Sequence, residues 1–363
     1  MTDSGRQSDE KFVEFCYRHL LRREGDPAGI ENYVRALSAG LDRHSLVREL
    51  IDSDEFRQLV ASDMLNAVAP GSTTTGLPTF APPGHFYSPL PAAQDVDDFA
   101  TLQQPGAPWR GGLDLDEQGQ LELLRTFAGY YEEIPFVAAP SAEHLFHFEN
   151  GSFGYFDGIA LYSFLRHFRP SRIVEVGSGF SSALMHDTNR IFFGGGIDLT
   201  VIDPFPEQLR GLLQAAPGAA PVIIEEPVQR VGLDTFTALG ENDILFIDSS
   251  HVMKFGSDVS YLLLEVLPAL RPGVLVHVHD IFANFDYPEL WLREGRAWNE
   301  GYALKAFLLH NRDFRVLLFN DYLAENHWNE LEQHLPLCTR QPQGSPFRNA
   351  GVSLWLQRCG AGD

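Results

Sequence analysis

Apolar positions change their spacing three times along this chain. In residues 1–65 they recur at helical intervals, with Phe12, Phe15, Cys16, His19 and Leu20 forming one stripe. Asp26-Pro27 reads as a helix start, because a proline in the first turn gives up no hydrogen bond. Ile30, Val34 and Leu37 continue that helix and Gly40 stops it; Asp42 opens a third around Leu46, Val47 and Leu50, and Ser53 begins a fourth turn or helix. Over residues 66–108 Pro, Gly, Ser and Thr displace the apolar pattern, so a linker or irregular lead-in is expected. Gly84–Pro91 is too aromatic for a spacer and is expected to pack on the following domain, at the rim of its site.

From residue 109 onward the spacing becomes that of a large α/β domain. Helices are expected over Leu121–Tyr131 and Gly158–Phe168, with an aromatic loop at Phe148–Asp157. Short β-branched runs then predict strands at Arg172–Val176, Leu199–Ile202, Val222–Glu225, Ile244–Ile247, Val274–Val278, Arg315–Leu318 and Val352–Leu356. Helical periods fit between them at Ser181–Arg190, Pro206–Ala215, Asp234–Leu239, Gly256–Leu270 and Gly301–Asn311. Such alternation requires a doubly wound, mostly parallel sheet with helices on both faces. No strong helical period separates the last two strands, which predicts an antiparallel edge strand.

Composition narrows the function. A net charge of −22 leaves no basic stripe for a phosphate backbone, so nucleic acid is not an expected partner. No apolar run reaches the length that spans a bilayer, and no membrane association is expected. Cys16, Cys338 and Cys359 are odd in number and lack metal-ligand spacing, which suits a reducing, cytoplasmic location.

The chemistry-bearing residues cluster at the carboxyl ends of the predicted strands, where an open α/β sheet binds ligands. Glu175-Val-Gly-Ser-Gly-Phe-Ser-Ser182 turns from strand to helix with glycines at 177 and 179 but serine, not glycine, at 182. A pyrophosphate fingerprint wants that third glycine, so this turn suits a donor without phosphates, such as S-adenosylmethionine. Asp203, 24 residues beyond Gly179, ends the second strand where ribose hydroxyls would meet it. Asp248 ends the fourth strand; His279 and Asp280, 31 and 32 residues later, end the fifth. Those three can converge on one divalent cation: carboxylates with a watery remainder suit Mg²⁺, while the imidazole tilts the choice towards Mn²⁺, Fe²⁺ or Zn²⁺. His251, three residues past Asp248, is the favoured general base over His277, His279 and His85. Asn284–Trp291 and Trp298–Tyr302 form an aromatic insertion placed to be a lid or a plain cover. Asp258 and Glu265 read as the solvated side of a core helix.

These motifs, with Val201-Ile-Asp-Pro204 and His277-Val-His-Asp-Ile-Phe282, resemble the class I S-adenosylmethionine-dependent methyltransferases, and among them the bacterial family near macrocin O-methyltransferases and cephalosporin-hydroxylase-like proteins. The resemblance runs from about Gly84 to the C-terminus and implies a Rossmann-like fold. It also implies that Glu175, Gly177, Gly179, Ser181 and Ser182 line the methionine end of the donor and Asp203 its ribose, with Asp248 nearby and Gln229 at the adenine. Phe153 and Asp157 would cover the donor from the preceding loop. Catechol-type enzymes carry Asp-Asn where this chain has His-Asp, and a lysine base where it has His251. The first 65 residues resemble a small helical domain of unknown function related to phycobilisome linker repeats, a candidate surface for a protein partner.

The expected activity is O-methylation of a small-molecule or sugar hydroxyl. Two rivals stand beside it: an NAD(P)-type oxidoreductase on a similar sheet, and a non-catalytic binding protein recruited through the helical domain. The retained acids at four strand ends, Glu175, Asp203, Asp248 and Asp280, argue against the second.

Overall fold

The computed structural model describes residues 9–14, 16–17, 21, 25–51, 53, 55–56, 80–102, 112–214, 217–340 and 351–360. The chain divides into two compact units, Met1–Thr79 and Phe80–Asp363.

The first unit is helical. Asp26 caps Pro27–Ser38 through its side chain, which accepts from the Gly29 N–H at 2.8 Å, as the Asp-Pro pair predicts. Asp42 does the same for Arg43–Ile51 by accepting from Ser45 N. Val13, Cys16, Tyr17, Val34, Leu37, Leu46 and Leu50 bury one apolar cluster between these helices. Phe15, His19 and Leu20 lie outside the described residues, as do 66–79 and 103–108 of the expected linker. The rest of that stretch belongs to the second unit and includes a helix, Ala93–Leu102, whose Asp97 pairs with Arg293 at 2.6 Å.

In the second unit, helices Glu117–Tyr131 and Tyr155–Phe168 precede a seven-stranded sheet. Its strands are β1 (Arg172–Val176), β2 (Asp198–Ile202), β3 (Val222–Ile224), β4 (Ile244–Ile247), β5 (Leu275–Val278), β6 (Phe314–Phe319) and β7 (Leu354–Arg358), in the order β3-β2-β1-β4-β5-β7-β6. β1 to β5 pair in parallel, while β7 is antiparallel to both neighbours, β5 and β6. The antiparallel strand therefore sits one place in from the edge, and β6 forms the edge itself. Two short helices, Asn320–Asn326 and Trp328–His334, occupy the β6–β7 connection where the sequence shows no strong period.

Burial explains why the strands read as unbroken apolar runs: every residue of β4 and β5 is buried. One face of the sheet packs on Phe127, Tyr162, Phe164 and Leu184, the other on Val259, Leu262, Val266 and Leu304. The helix after β4 starts at Asp258, widens into a π turn over Leu262–Val266 and ends at Ala269, so the single predicted helix contains one wider turn. Pro268, which lacks an N–H, lies just beyond that turn. Strand order reverses between β1 and β4, and the carboxyl ends at such a switch point are where an open α/β sheet binds ligands. Among the described residues no helix is long and apolar enough to cross a membrane.

Candidate active site

The strand-end residues predicted from sequence meet at one rim. Asp248 N donates to Val176 O and His279 N to Ile247 O, so the parallel register holds to the last residue of each strand. Directly beyond that register, Asp248, His251, His279 and Asp280 turn their polar atoms into one gap. His251 Nε2 stands 3.5 Å from Asp248 Oδ1 and 3.4 Å from Asp280 Oδ2. His279 Nδ1 stands 3.6 Å from Asp248 Oδ1 and 3.7 Å from Asp280 Oδ1.

Backbone geometry makes this convergence. His251 and Asp280 both adopt the left-handed region, with φ of 59° and 57°. Residues with side chains avoid that region, and where it persists it commonly marks a functional turn. At these two positions the chain turns beyond the ends of β4 and β5, four residues on at His251 and two at Asp280. Surrounding groups lock the turns. Asp258, read from sequence as a solvated helix residue, instead accepts hydrogen bonds from Ser250 N at 2.8 Å and Ser250 Oγ at 2.6 Å. The aromatic insertion clamps the same loop: Asn299 N and Glu300 N donate to His251 O, and Met253 N donates to Asn299 Oδ1. Trp298 lies against the His251 ring with centroids 4.4 Å apart. Of the two roles open to this insertion, these contacts are those of a cover that holds the His251 loop. Removing the Asp258 carboxylate (Asp258→Ala) leaves the exposed Ser250 N–H to water and is expected to cost about 0.5–1.5 kcal/mol. A thermal melt should record the loss.

Glu300 was not legible in the sequence. Its buried carboxylate holds His251 Nδ1 at 2.9 Å, leaving Nε2 for the gap. Burial works to lower the His251 pKa, yet the hydrogen bonds to Asp248 and Glu300 outweigh it and raise it to about 10. Burial opposes ionisation of Asp248 too, but the His279 and His251 imidazoles hold its carboxyl below the ordinary range. Burial raises the Asp280 and Glu300 carboxyls.

The sequence reading grouped Asp248, His279 and Asp280 as metal ligands and set His251 apart as base. In the structure the tightest trio is Asp248, His251 and Asp280, each offering one atom within 4.8 Å of the others, with His279 beside it. The left-handed turn at His251 is what brings its ring over Asp248. Two carboxylates and two imidazoles facing one gap form a donor set that fits a divalent cation. Of the rival bases, His277 faces away: it is fully buried, with Nε2 on Ser353 Oγ at 2.8 Å and its ring stacked on Phe246. Burial holds it neutral, well below its ordinary pKa. His85 stacks on Phe86 in the lead-in loop.

The glycine turn forms the other half of the rim. Gly177 has φ 91°, and a Cβ there would fall 1.8 Å from Asp248 O, so donor turn and acidic gap share a backbone contact. Glu175 is fully buried and accepts the hydroxyls of Ser181 and Ser182 at 2.5 and 2.6 Å. Burial pushes its pKa up to about 8 against the pull of the two serines. The three side chains therefore brace the turn from below. Ser178, absent from the predicted set, donates to Asp203, whose other oxygen accepts from Phe205 N. Gln229 follows β3 and spends its amide on Gly256 O at 2.7 Å. Phe153 and Asp157, expected to cover the donor, are both 2% exposed. Phe153 packs under His279 with ring centroids 5.4 Å apart, and Asp157 is bonded to β7.

A sequence family described as a methyltransferase domain matches residues 174–281, which includes the glycine turn and all four gap residues. A domain of unknown function matches residues 2–60. An uncharacterized protein of Archaeoglobus fulgidus is 35% identical over 173 residues, covering 45% of this chain and 75% of its own length. Among solved structures, an S-adenosylhomocysteine-bound Podospora anserina methyltransferase is 14% identical, covers 78% of this chain and 100% of that one, and has a TM-score of 0.35. A Streptomyces achromogenes O-methyltransferase of tomaymycin synthesis, in complex with S-adenosylmethionine, is 16% identical over 74% of this chain and 96% of that one, with a TM-score of 0.36.

Proposed function

We propose that this chain, whose residues 174–281 match a methyltransferase-domain family, is a class I S-adenosylmethionine-dependent methyltransferase that methylates a hydroxyl of a small-molecule or sugar acceptor. The observation that supports this most is the contact between Gly177 and the Asp248 carbonyl. It sets the turn suited to the donor's methionine end against the gap into which His251 Nε2 projects.

Donor recognition falls to the glycine turn braced by Glu175, Ser181 and Ser182, and to Asp203 for the ribose. The sulfonium is already activated, so alignment and a deprotonated nucleophile are what the protein must add. In the transfer the S–CH₃ bond breaks as the O–CH₃ bond forms, S-adenosylhomocysteine leaves, and the hydroxyl proton passes to His251 Nε2. Glu300 keeps Nδ1 of that ring occupied, so the accepting nitrogen is the one in the gap. Asp248, Asp280 and His279 would hold a divalent cation. Positive charge bound there would polarise the acceptor oxygen and cancel the carboxylate field that keeps His251 protonated.

A second reading follows from the closeness of Asp248, His251 and Asp280. In it His251 is a ligand and His279 an outer neighbour. Mn²⁺ binding followed by electron paramagnetic resonance separates the two. The first reading expects His279→Ala to lose the ion and His251→Asn to keep it; the reverse pattern favours the second.

The activity is tested by radiolabelled methyl transfer from S-adenosylmethionine to sugars, catechols and small metabolites, with and without Mg²⁺ or Mn²⁺. Chelation should suppress turnover and the ion should restore it. Turnover indifferent to chelator would remove the cation and leave the methyltransferase. Calorimetry showing no affinity for either donor or demethylated product would defeat the reading altogether.

A further inference from the structure

Asp157 lies on the helix before β1, yet its carboxylate ends beneath the far side of the gap. Its two oxygens divide their work. Oδ1 accepts Ser353 Oγ at 2.6 Å, Val352 N at 2.9 Å and Asn320 Nδ2 at 3.0 Å, tying the helix to β7 and to the end of β6. Oδ2 faces His279 Nε2 at 3.5 Å, and Val352 N is its second neighbour at 3.2 Å. Because Ser353 gives its proton to Asp157, its oxygen must accept from His277, which fixes the proton of that neutral ring on Nε2. Three donors, two from the residues just before β7 and one from Asn320, therefore hold this carboxylate in one orientation, and a carboxylate so fixed can orient what faces its Oδ2 edge.

The arrangement parallels, at longer range, the one across the gap. Glu300 takes Nδ1 of His251 in a hydrogen bond and leaves Nε2 for Asp248 and Asp280. Asp157 Oδ2 faces Nε2 of His279 at ion-pair distance, without a hydrogen bond, and Nδ1 is left for the same two carboxylates. Each imidazole thus has a buried acid at its outer nitrogen and turns its inner one to the shared pair. Outer carboxylates of this kind set ring orientation and tautomer at metal and catalytic histidines alike.

We propose that Asp157 is a positioning residue that acts through His279, its carboxylate charge facing the Nε2 edge so that Nδ1 stays turned to Asp248 and Asp280. The cation arm of its test rests on the reading given under Proposed function; the structural arm does not.

Two variants separate positioning from mere support. In Asp157→Asn the amide oxygen can take the place of Oδ1 and keep the Ser353, Val352 and Asn320 bonds. Its NH₂ then replaces Oδ2 and points a donor at His279 Nε2, which reverses the demand on that ring. Ser353→Ala does the opposite: it removes a bond from the supporting edge and leaves the His279 edge intact. The expected result is that Asp157→Asn weakens Mn²⁺ binding about 10- to 100-fold with a small change in Tm. Ser353→Ala should lower Tm by roughly a few degrees and leave Mn²⁺ affinity unchanged. Parallel losses in both variants, or undisturbed Mn²⁺ affinity in Asp157→Asn, would overturn the proposal. If the wild type binds no Mn²⁺, the cation reading fails by itself and crystal structures of the variants decide the matter. A His279 ring turned out of the gap in Asp157→Asn but not in Ser353→Ala supports positioning; a ring unmoved in both rejects it.

Discussion

His251→Asn is expected to lower the rate of methyl transfer by about 10²- to 10⁴-fold, the usual worth of a general base, with affinity for S-adenosylmethionine unchanged. Asparagine is the informative substitution for two reasons. The backbone at this position is left-handed, with φ 59°, and asparagine tolerates that region better than most residues. Its amide can also donate toward Glu300, which is 2% exposed and would otherwise be left without its partner. Alanine does neither. His251→Ala strands a buried carboxylate and should cost roughly 3–5 kcal/mol of stability as well as the rate. Comparing the two in a thermal melt and in single-turnover methyl transfer splits chemistry from folding. An asparagine variant that turns over at the wild-type rate would move the base elsewhere, with His279 the nearest alternative.

What the sequence could disclose about this site follows from how far apart its members lie. Asp248, His279 and Asp280 each end a strand whose apolar run is unmistakable, and parallel pairing of β4 with β5 brings such ends together. Glu300 and Asp157 carry no comparable signal. Each faces its histidine from an element that tertiary packing alone brings near: the second stretch of the aromatic insertion for Glu300, the helix before β1 for Asp157. Asp258 was misread because helical periodicity reports which residues leave the core, not where their side chains go next. It sits in the first turn, the end that can reach back to the preceding loop, and it does so to hold Ser250. The place of β7 between β5 and β6 was hidden for a similar reason. Strand pairing order depends on the route of the connection, and that connection shows no strong period.

Gly177→Ala should be the most damaging small substitution in the donor turn. The added methyl carbon would lie 1.8 Å from the Asp248 carbonyl oxygen and 3.0 Å from its carbon, with φ already at 91°. Both obstacles are backbone, so no rotamer change relieves the overlap: either the β1 turn or the end of β4 must move. The left-handed conformation alone costs an alanine about 1 kcal/mol. Overlap of this depth brings the total to roughly 3–5 kcal/mol, within the range where strain at a special backbone position becomes severe. Tm should fall by roughly 5–10 °C, and calorimetry should find affinity for S-adenosylmethionine lost. Displacement of Asp248 would carry the damage across the rim, because its carboxylate faces both His251 and His279. Gly211→Ala is the matched control. It lies within the helix Glu207–Leu213 with nothing within 4 Å of the new methyl, so the helix propensity of alanine should leave stability unchanged or slightly improved. If Gly177→Ala melts and binds donor as Gly211→Ala does, the donor turn and the acidic gap are not in contact, and the alignment of donor with base loses its foundation.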